Sequence, residues 1–216
     1  MKKARNVVLA LLCALLLIAG SVAGTLAYLT SQTGTVTNTF SAGNVTITMD
    51  EGKVNVYGKS ARADGTVIEE GVQEAAPRVQ GNEYKLIPGH HYSKDPMIYV
   101  DANSEECWLF VKIENGIEDI EAADDAAENT YTIETQLEQN GWTLVAGETN
   151  VYAYQTKVPG GPGGVRVFTH FVIDGEADVA LYDDAEITVI AYAVQGDGFD
   201  TADEAWDAAP SSWGTP

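Results

Sequence analysis

Three histidines, two cysteines and one knot of acids are the side chains of this 216-residue chain best suited to chemistry. His90 and His91 are adjacent. Neighbouring side chains of an extended segment point to opposite faces, so these two are poorly placed to share a metal. No His-Glu-x-x-His occurs, so the two ligands and the base that zinc hydrolysis sets on one helical face are missing. His90 and His91 read as surface or loop residues. His170, between Thr169 and Phe171, reads as a packed or edge residue of a strand. Cys107 alternates with Leu109 and Val111, the pattern of a buried core thiol rather than a nucleophile. No Gly-x-Ser-x-Gly is present. Asp197, Asp200, Asp203 and Glu204 crowd a strand-to-helix junction in QGDGFDTADE. Their oxygens suit Ca2+, but the EF-hand spacing is absent, and helix capping with a favourable dipole interaction explains them at less cost. No catalytic residue and no cofactor is expected. Weak Ca2+ binding at Asp197, Asp200 and Asp203 is the alternative.

The elements that hold these residues follow a period of two with β-branched and aromatic residues. In NVTITM, Val45, Ile47 and Met49 face one way. In CWLFVKIE, Cys107, Leu109, Val111 and Ile113 form one apolar face, and Trp108 and Phe110 share the other with Lys112. Tyr152 and Tyr154 make a second aromatic stripe. Such stripes belong to a sheet core or lie beneath a loop; stacking on sugars or a subunit interface is the competing role. Further strands are expected at 53–57, 97–100, 130–137, 142–145, 151–156, 165–173 and 186–195. Asp64-Gly65, Asn140-Gly141, Asp174-Gly175 and the PGGPGG stretch at 159–164 supply the turns. Two short helices are expected, one within the acidic 117–129 and one after Asp200, where Thr201 and Glu204 form a capping box. The expected fold is therefore all-β, an antiparallel sandwich or barrel in one domain.

The N-terminus adds a location. Lys2, Lys3 and Arg5 precede an uncharged run from Val7 to Ala27, and Thr25 and Ala27 supply small residues for a cut between Ala27 and Tyr28. This is the layout of a secretory signal helix over 1–27, and a secreted, extracellular or cell-surface protein is expected. An uncleaved anchor competes, because 21 uncharged residues are long enough to span a bilayer. Leu12 ahead of Cys13 disfavours a lipoprotein.

Three of the 12 basic residues and none of the 32 acids lie in 1–27, so the mature chain carries 9 basic against 32 acidic residues, a net charge of −23. That surface repels nucleic acid, acidic membranes and copies of itself unless cations or acid screen it. The acidic runs at 118–128 and 174–186 read as solvated faces. Hydrophobic residues make up 45% of the chain, too many for an acidic disordered tail. Only Cys107 remains after cleavage, so no internal disulfide can form.

Three blocks carry a family resemblance: GTLAYLTSQTGTVTNTFSAGNVTI (24–47), KLIPGHHYSKDPMIYVDANSEECWLFVKIENG (85–116) and ITVIAYAVQGDGFDTADEAWDA (187–208). The chain resembles the TasA/camelysin family of secreted Gram-positive proteins, whose signals are processed by a SipW-type signal peptidase. Phe40, Gly43 and Ile47 stand where that family opens its first core strand. The middle segments, 58–83 and 117–164, carry no matching motif. The resemblance implies a jelly-roll sandwich over 41–216 and a structural role as a subunit of surface or biofilm-matrix fibres. The chain itself would be the main partner, with an accessory or anchoring matrix protein beside it. The implied mechanism is donor-strand exchange, in which an N-terminal segment completes the sheet of the next subunit. Here that segment is 28–40, which has no charge and no proline; Tyr28, Leu29, Thr30, Val36 and Phe40 are its candidate contacts. Pairing within its own chain is the competing reading. Two other functions stay open: a camelysin-like surface metalloprotease, disfavoured by the missing metal motif, and a monomeric cell-wall or Ca2+-binding module.

Overall fold

A computed structural model describes residues 45–213. The expected signal, its cleavage at Ala27–Tyr28 and the donor segment 28–40 lie outside the described residues.

The described chain is built mostly of antiparallel strands with two short helices. In chain order they are β1 (Ile47–Gly52), β2 (Arg78–Val79), β3 (His91–Ser93), β4 (Met97–Val100), β5 (Cys107–Asn115), α1 (Ile133–Gln139), β6 (Trp142–Leu144), β7 (Val151–Tyr154), β8 (Gly164–Arg166), β9 (His170–Val172), β10 (Ile187–Gln195) and α2 (Ala202–Asp207). One sheet has the order β2-β1-β4-β8, a second β10-β5-β7-β6, and β3 pairs with β9 alone. All pairs are antiparallel. No helix among the described residues is long and apolar enough to cross a membrane.

The main core joins side chains from both four-stranded sheets and the β3–β9 pair, among them Ile98, Leu109, Val111, Trp142 and Phe171. A second cluster lies on the opposite face of β5, where Trp108 and Phe110 meet Val151, Ala153 and Ala205. The aromatic face of β5 is therefore core, covered by α2: the Trp206 ring sits 5.0 Å from Phe110. Even Lys112 is only 5% exposed, its ammonium 3.4 Å from Glu114.

The capping box predicted for α2 is present. Thr201 Oγ1 accepts the Glu204 N–H at 3.2 Å, and the Glu204 carboxylate accepts the Thr201 N–H at 3.3 Å. The strand expected at 130–137 is instead α1. Ile133 and Leu137 fit both a period of two and one turn of helix, so alternation could not decide. The chain around them decides. Thr132 Oγ1 accepts the Thr135 N–H at 3.2 Å, Asp124 accepts the Thr132 N–H at 2.7 Å, and Glu121 accepts the Ile133 N–H at 3.0 Å. Those carboxylates come from 117–129, where a helix was expected. That segment holds a 3-10 turn, Glu118–Ile120, isolated bridges at Glu121 and Asp125 and a turn, and its acids Glu121 and Asp124 meet the start of α1. The single strand expected over 165–173 divides into β8 and β9, which join different sheets. Residues 53–57 form an isolated bridge and a turn rather than a strand. Gly58 closes that turn at φ +70, with an added Cβ falling 2.6 Å from the Tyr92 Cα, so only glycine fits there.

Candidate functional site

β10 is an edge strand. It pairs with β5 over nine residues, Ile187↔Asn115 through Gln195↔Cys107, and no strand flanks its other side among the described residues. Two bonds bracket the ladder: Gly116 N–H to the Glu186 carbonyl at 2.8 Å and Gly196 N–H to the Glu106 carbonyl at 2.7 Å. Both involve even-numbered residues. In an antiparallel ladder bonded and non-bonded pairs alternate, so Thr188, Ile190, Tyr192 and Val194 bond to β5. The N–H and C=O groups of Val189, Ala191 and Ala193 then point away from the sheet.

The side chains alternate too. Ile187, Val189, Ala191 and Ala193 rest against the main core, and Tyr192 and Val194 against the second cluster. None of them is fully buried, although most of their equivalents on β5 are. Apolar side chains on both faces are the pattern of an interior strand, yet β10 stands at an edge among the described residues.

Beside this edge runs a groove of about 960 Å³, lined by β1 and the first residues of β10. Phe171 and Ile117, both fully buried, lie at its bottom, and Met49, Leu86 and Val189 add apolar walls. Glu51 of β1 also lines it, 4% exposed, paired with Lys94 Nζ at 2.6 Å and accepting from Asn82 Nδ2 at 2.8 Å. The two buried charges there thus satisfy each other. Exposed Glu83, Asp183, Asp184 and Glu186 stand along the rim. β1 itself is better closed than β10. β2 caps its end, Gln80 Nε2 donates to the Met49 carbonyl at 3.0 Å, and Arg78 binds Asp50 and Asp95 at 2.8 Å each.

The residues singled out for chemistry are arranged differently from the sequence expectation in one respect. His90 and His91 do diverge: His90 Nε2 lies 3.0 Å from the Tyr57 carbonyl, and its ring meets Tyr92 edge-on. His91 instead stacks on His170, ring centroids 4.4 Å apart and 22° from parallel. The β3–β9 register makes them diagonal neighbours on one face, because His91 sits opposite Val172. Burial holds both imidazoles below the usual range; each is further lowered by a neighbouring histidine, His90 for His91 and His91 for His170. His170 Nδ1 is 2.7 Å from Thr169 Oγ1, and its buried Nε2 has no hydrogen-bond partner.

Cys107 is fully buried, its thiol 3.6 Å from the Val158 carbonyl and pushed up to about 11 by burial, so it is protonated at neutral pH. Asp197, Asp200 and Asp203 are exposed at the start of α2, where the Glu204 carboxylate accepts the Asp200 N–H at 2.9 Å. Among the described residues no group of three or more His, Cys, Asp or Glu side chains is placed to hold a metal ion. The acid with the most perturbed environment is one the sequence did not single out. Glu121, accepting from Ile133 N–H and from Asn115 Nδ2 at 2.8 Å, is pushed up to about 7, chiefly by burial. It ties the end of β5 to the start of α1.

Among the described residues the β10 edge with its groove is therefore the candidate site. No family model, curated protein or solved structure matches this chain.

Proposed function

We propose that this protein is a secreted structural subunit that assembles into cell-surface or matrix fibres by strand addition through its N-terminal segment 28–40. The observation that carries the reading is the nine-residue edge of β10, which is unpaired among the described residues and apolar on both faces. A strand that lacks a neighbour is completed by an extended peptide, which supplies main-chain hydrogen bonds along the edge and alternate side chains to pockets. The segment 28–40 has the matching chemistry: thirteen residues with no charge and no proline. Donor and acceptor are different parts of the surface, so each contact is heterologous and repetition gives an open filament. The resemblance of 24–47, 85–116 and 187–208 to the TasA/camelysin family supports the same reading, with a jelly-roll sandwich as its fold and signal removal between Ala27 and Tyr28 exposing the segment. No catalytic step is assigned, and an accessory matrix protein is the expected anchor.

The test compares chains 28–216 and 41–216 by sedimentation and negative-stain microscopy at pH 7 and pH 5, with and without Ca2+. The longer chain forms fibres and the shorter stays monomeric. Assembly is faster in acid or with divalent cations, because the net charge of −23 must be screened. Two folded monomers under every condition would refute the reading.

A further inference from the structure

Resting on that strand-addition reading, we propose that the acceptor is the outer edge of β10, and that Val36–Phe40 docks there with the face that carries Val36 and Phe40 turned toward the main core and the groove at the start of β10. Thr37 and Thr39 then face Tyr192 and α2.

Four observations choose this occupant. The first is main-chain pairing. Val189, Ala191 and Ala193 present outward N–H and C=O groups along about 13 Å of edge, two residues apart, as an antiparallel or parallel partner needs. The second is the groove. It opens beside the start of that edge, at Ile187–Val189, where Met49, Leu86 and Val189 give it apolar walls for the apolar face of an added strand. On Val36–Phe40 the alternation is Val36, Asn38, Phe40 on one face against Thr37 and Thr39 on the other. Only the first face carries large apolar groups, so that face turns to the groove. The third is charge. The rim acids Glu83, Asp183, Asp184 and Glu186 outnumber the exposed Lys85 among them and disfavour an acidic peptide, and residues 28–44 hold no charged side chain. Two β10 strands meeting edge to edge would bring two such rims together, which disfavours a symmetric dimer. The fourth is reach. Thirteen extended residues span about 43 Å, more than the roughly 30 Å of a nine-residue strand.

The experiment titrates a labelled synthetic peptide of residues 28–44 into chain 41–216, which contains every described residue of the two apolar clusters and whose cooperative thermal transition is checked first. The wild-type peptide binds. A peptide with Val36→Ser and Phe40→Ser binds at least about tenfold more weakly, while Thr37→Ala with Thr39→Ala changes affinity less than about threefold. In the acceptor, Ala191→Pro removes one outward N–H without touching the ladder to β5, and binding falls about tenfold while the thermal transition stays cooperative. Val189→Glu, which places a charge beside the groove, gives the same loss and serves if Ala191→Pro fails to fold. Absence of binding, equal affinity of the peptides, or equal affinity of the folded acceptor variants overturns the assignment. Sedimentation of chain 28–216 separates the two claims. Fibres that ignore Ala191→Pro and Val189→Glu leave the function standing and remove this acceptor. Peptide binding at β10 without fibres leaves the acceptor standing and removes the fibre reading.

Discussion

β5 and β10 are both nine residues long, pair with each other along their whole length and carry apolar side chains on both faces. Yet Cys107 to Ile113 of β5 are all buried, whereas every residue of β10 is half-buried or exposed. Composition does not explain the contrast, since Ile187–Gln195 is as apolar as Cys107–Asn115. Neighbours do. β5 has β10 on one side and β7 on the other, with α2 over its aromatic face; among the described residues β10 pairs with β5 alone, and Tyr192 is met by Trp206 of α2 and by Trp213. A strand whose sequence suits an interior position thus stands at an edge among the described residues, and this contrast is what the proposed strand addition rests on.

The sharpest attempt to break this comparison is truncation on each strand. Phe110→Ala empties a site with no exposed surface and costs about 3–5 kcal/mol, whereas Ile190→Ala, at 37% exposed, costs less than about 1 kcal/mol. Equal losses in chemical denaturation would mean that the two strands are equally enclosed. Proline scanning sharpens it next. Ile190→Pro deletes a hydrogen bond to β5 and destabilises by about 3 kcal/mol, while Ala191→Pro, on the free side, costs about 1 kcal/mol or less. Melting curves that rank them the other way would invert the assignment of inward and outward groups.

These contrasts were partly legible in the residues. The alternation of Cys107–Glu114 and of 186–195 predicts both long strands, and Thr201 with Glu204 predicts α2, because each signal is local. α1 was not legible, since its cap is assembled from Asp124 and Glu121, contacts the sequence cannot announce. The stacking of His91 on His170 depends on the β3–β9 register, which joins residues about 80 positions apart. The free edge of β10 is likewise a property of topology; Ile187–Gln195 alone reads as an ordinary core strand.

Two smaller effects probe what holds β5 in place. Glu121 links Asn115 at the end of β5 to α1 with a pKa raised to about 7, above its unfolded value of about 4.3. The folded state therefore binds the extra proton, and the stability this provides is complete below pH 4 and is lost as pH rises through 7. Glu121→Gln should remove that decline, worth about 2 kcal/mol between pH 5 and pH 8 in urea titrations. An unchanged profile would show that Glu121 stays ionised at no cost. Thr201→Ala opens the capping box that fixes Trp206 over Phe110 and costs about 1 kcal/mol by thermal melting, with no change in the outward edge of β10.

The most direct test of the central claim is residue-resolved amide hydrogen exchange on chain 41–216, alone and with the 28–44 peptide. Alone, Thr188, Ile190, Tyr192 and Val194 should exchange slowly and Val189, Ala191 and Ala193 quickly; the peptide should slow the second set and leave the first unchanged. Protection of Val189, Ala191 and Ala193 before the peptide is added, or no change after it, would contradict the assignment of β10 as the acceptor edge.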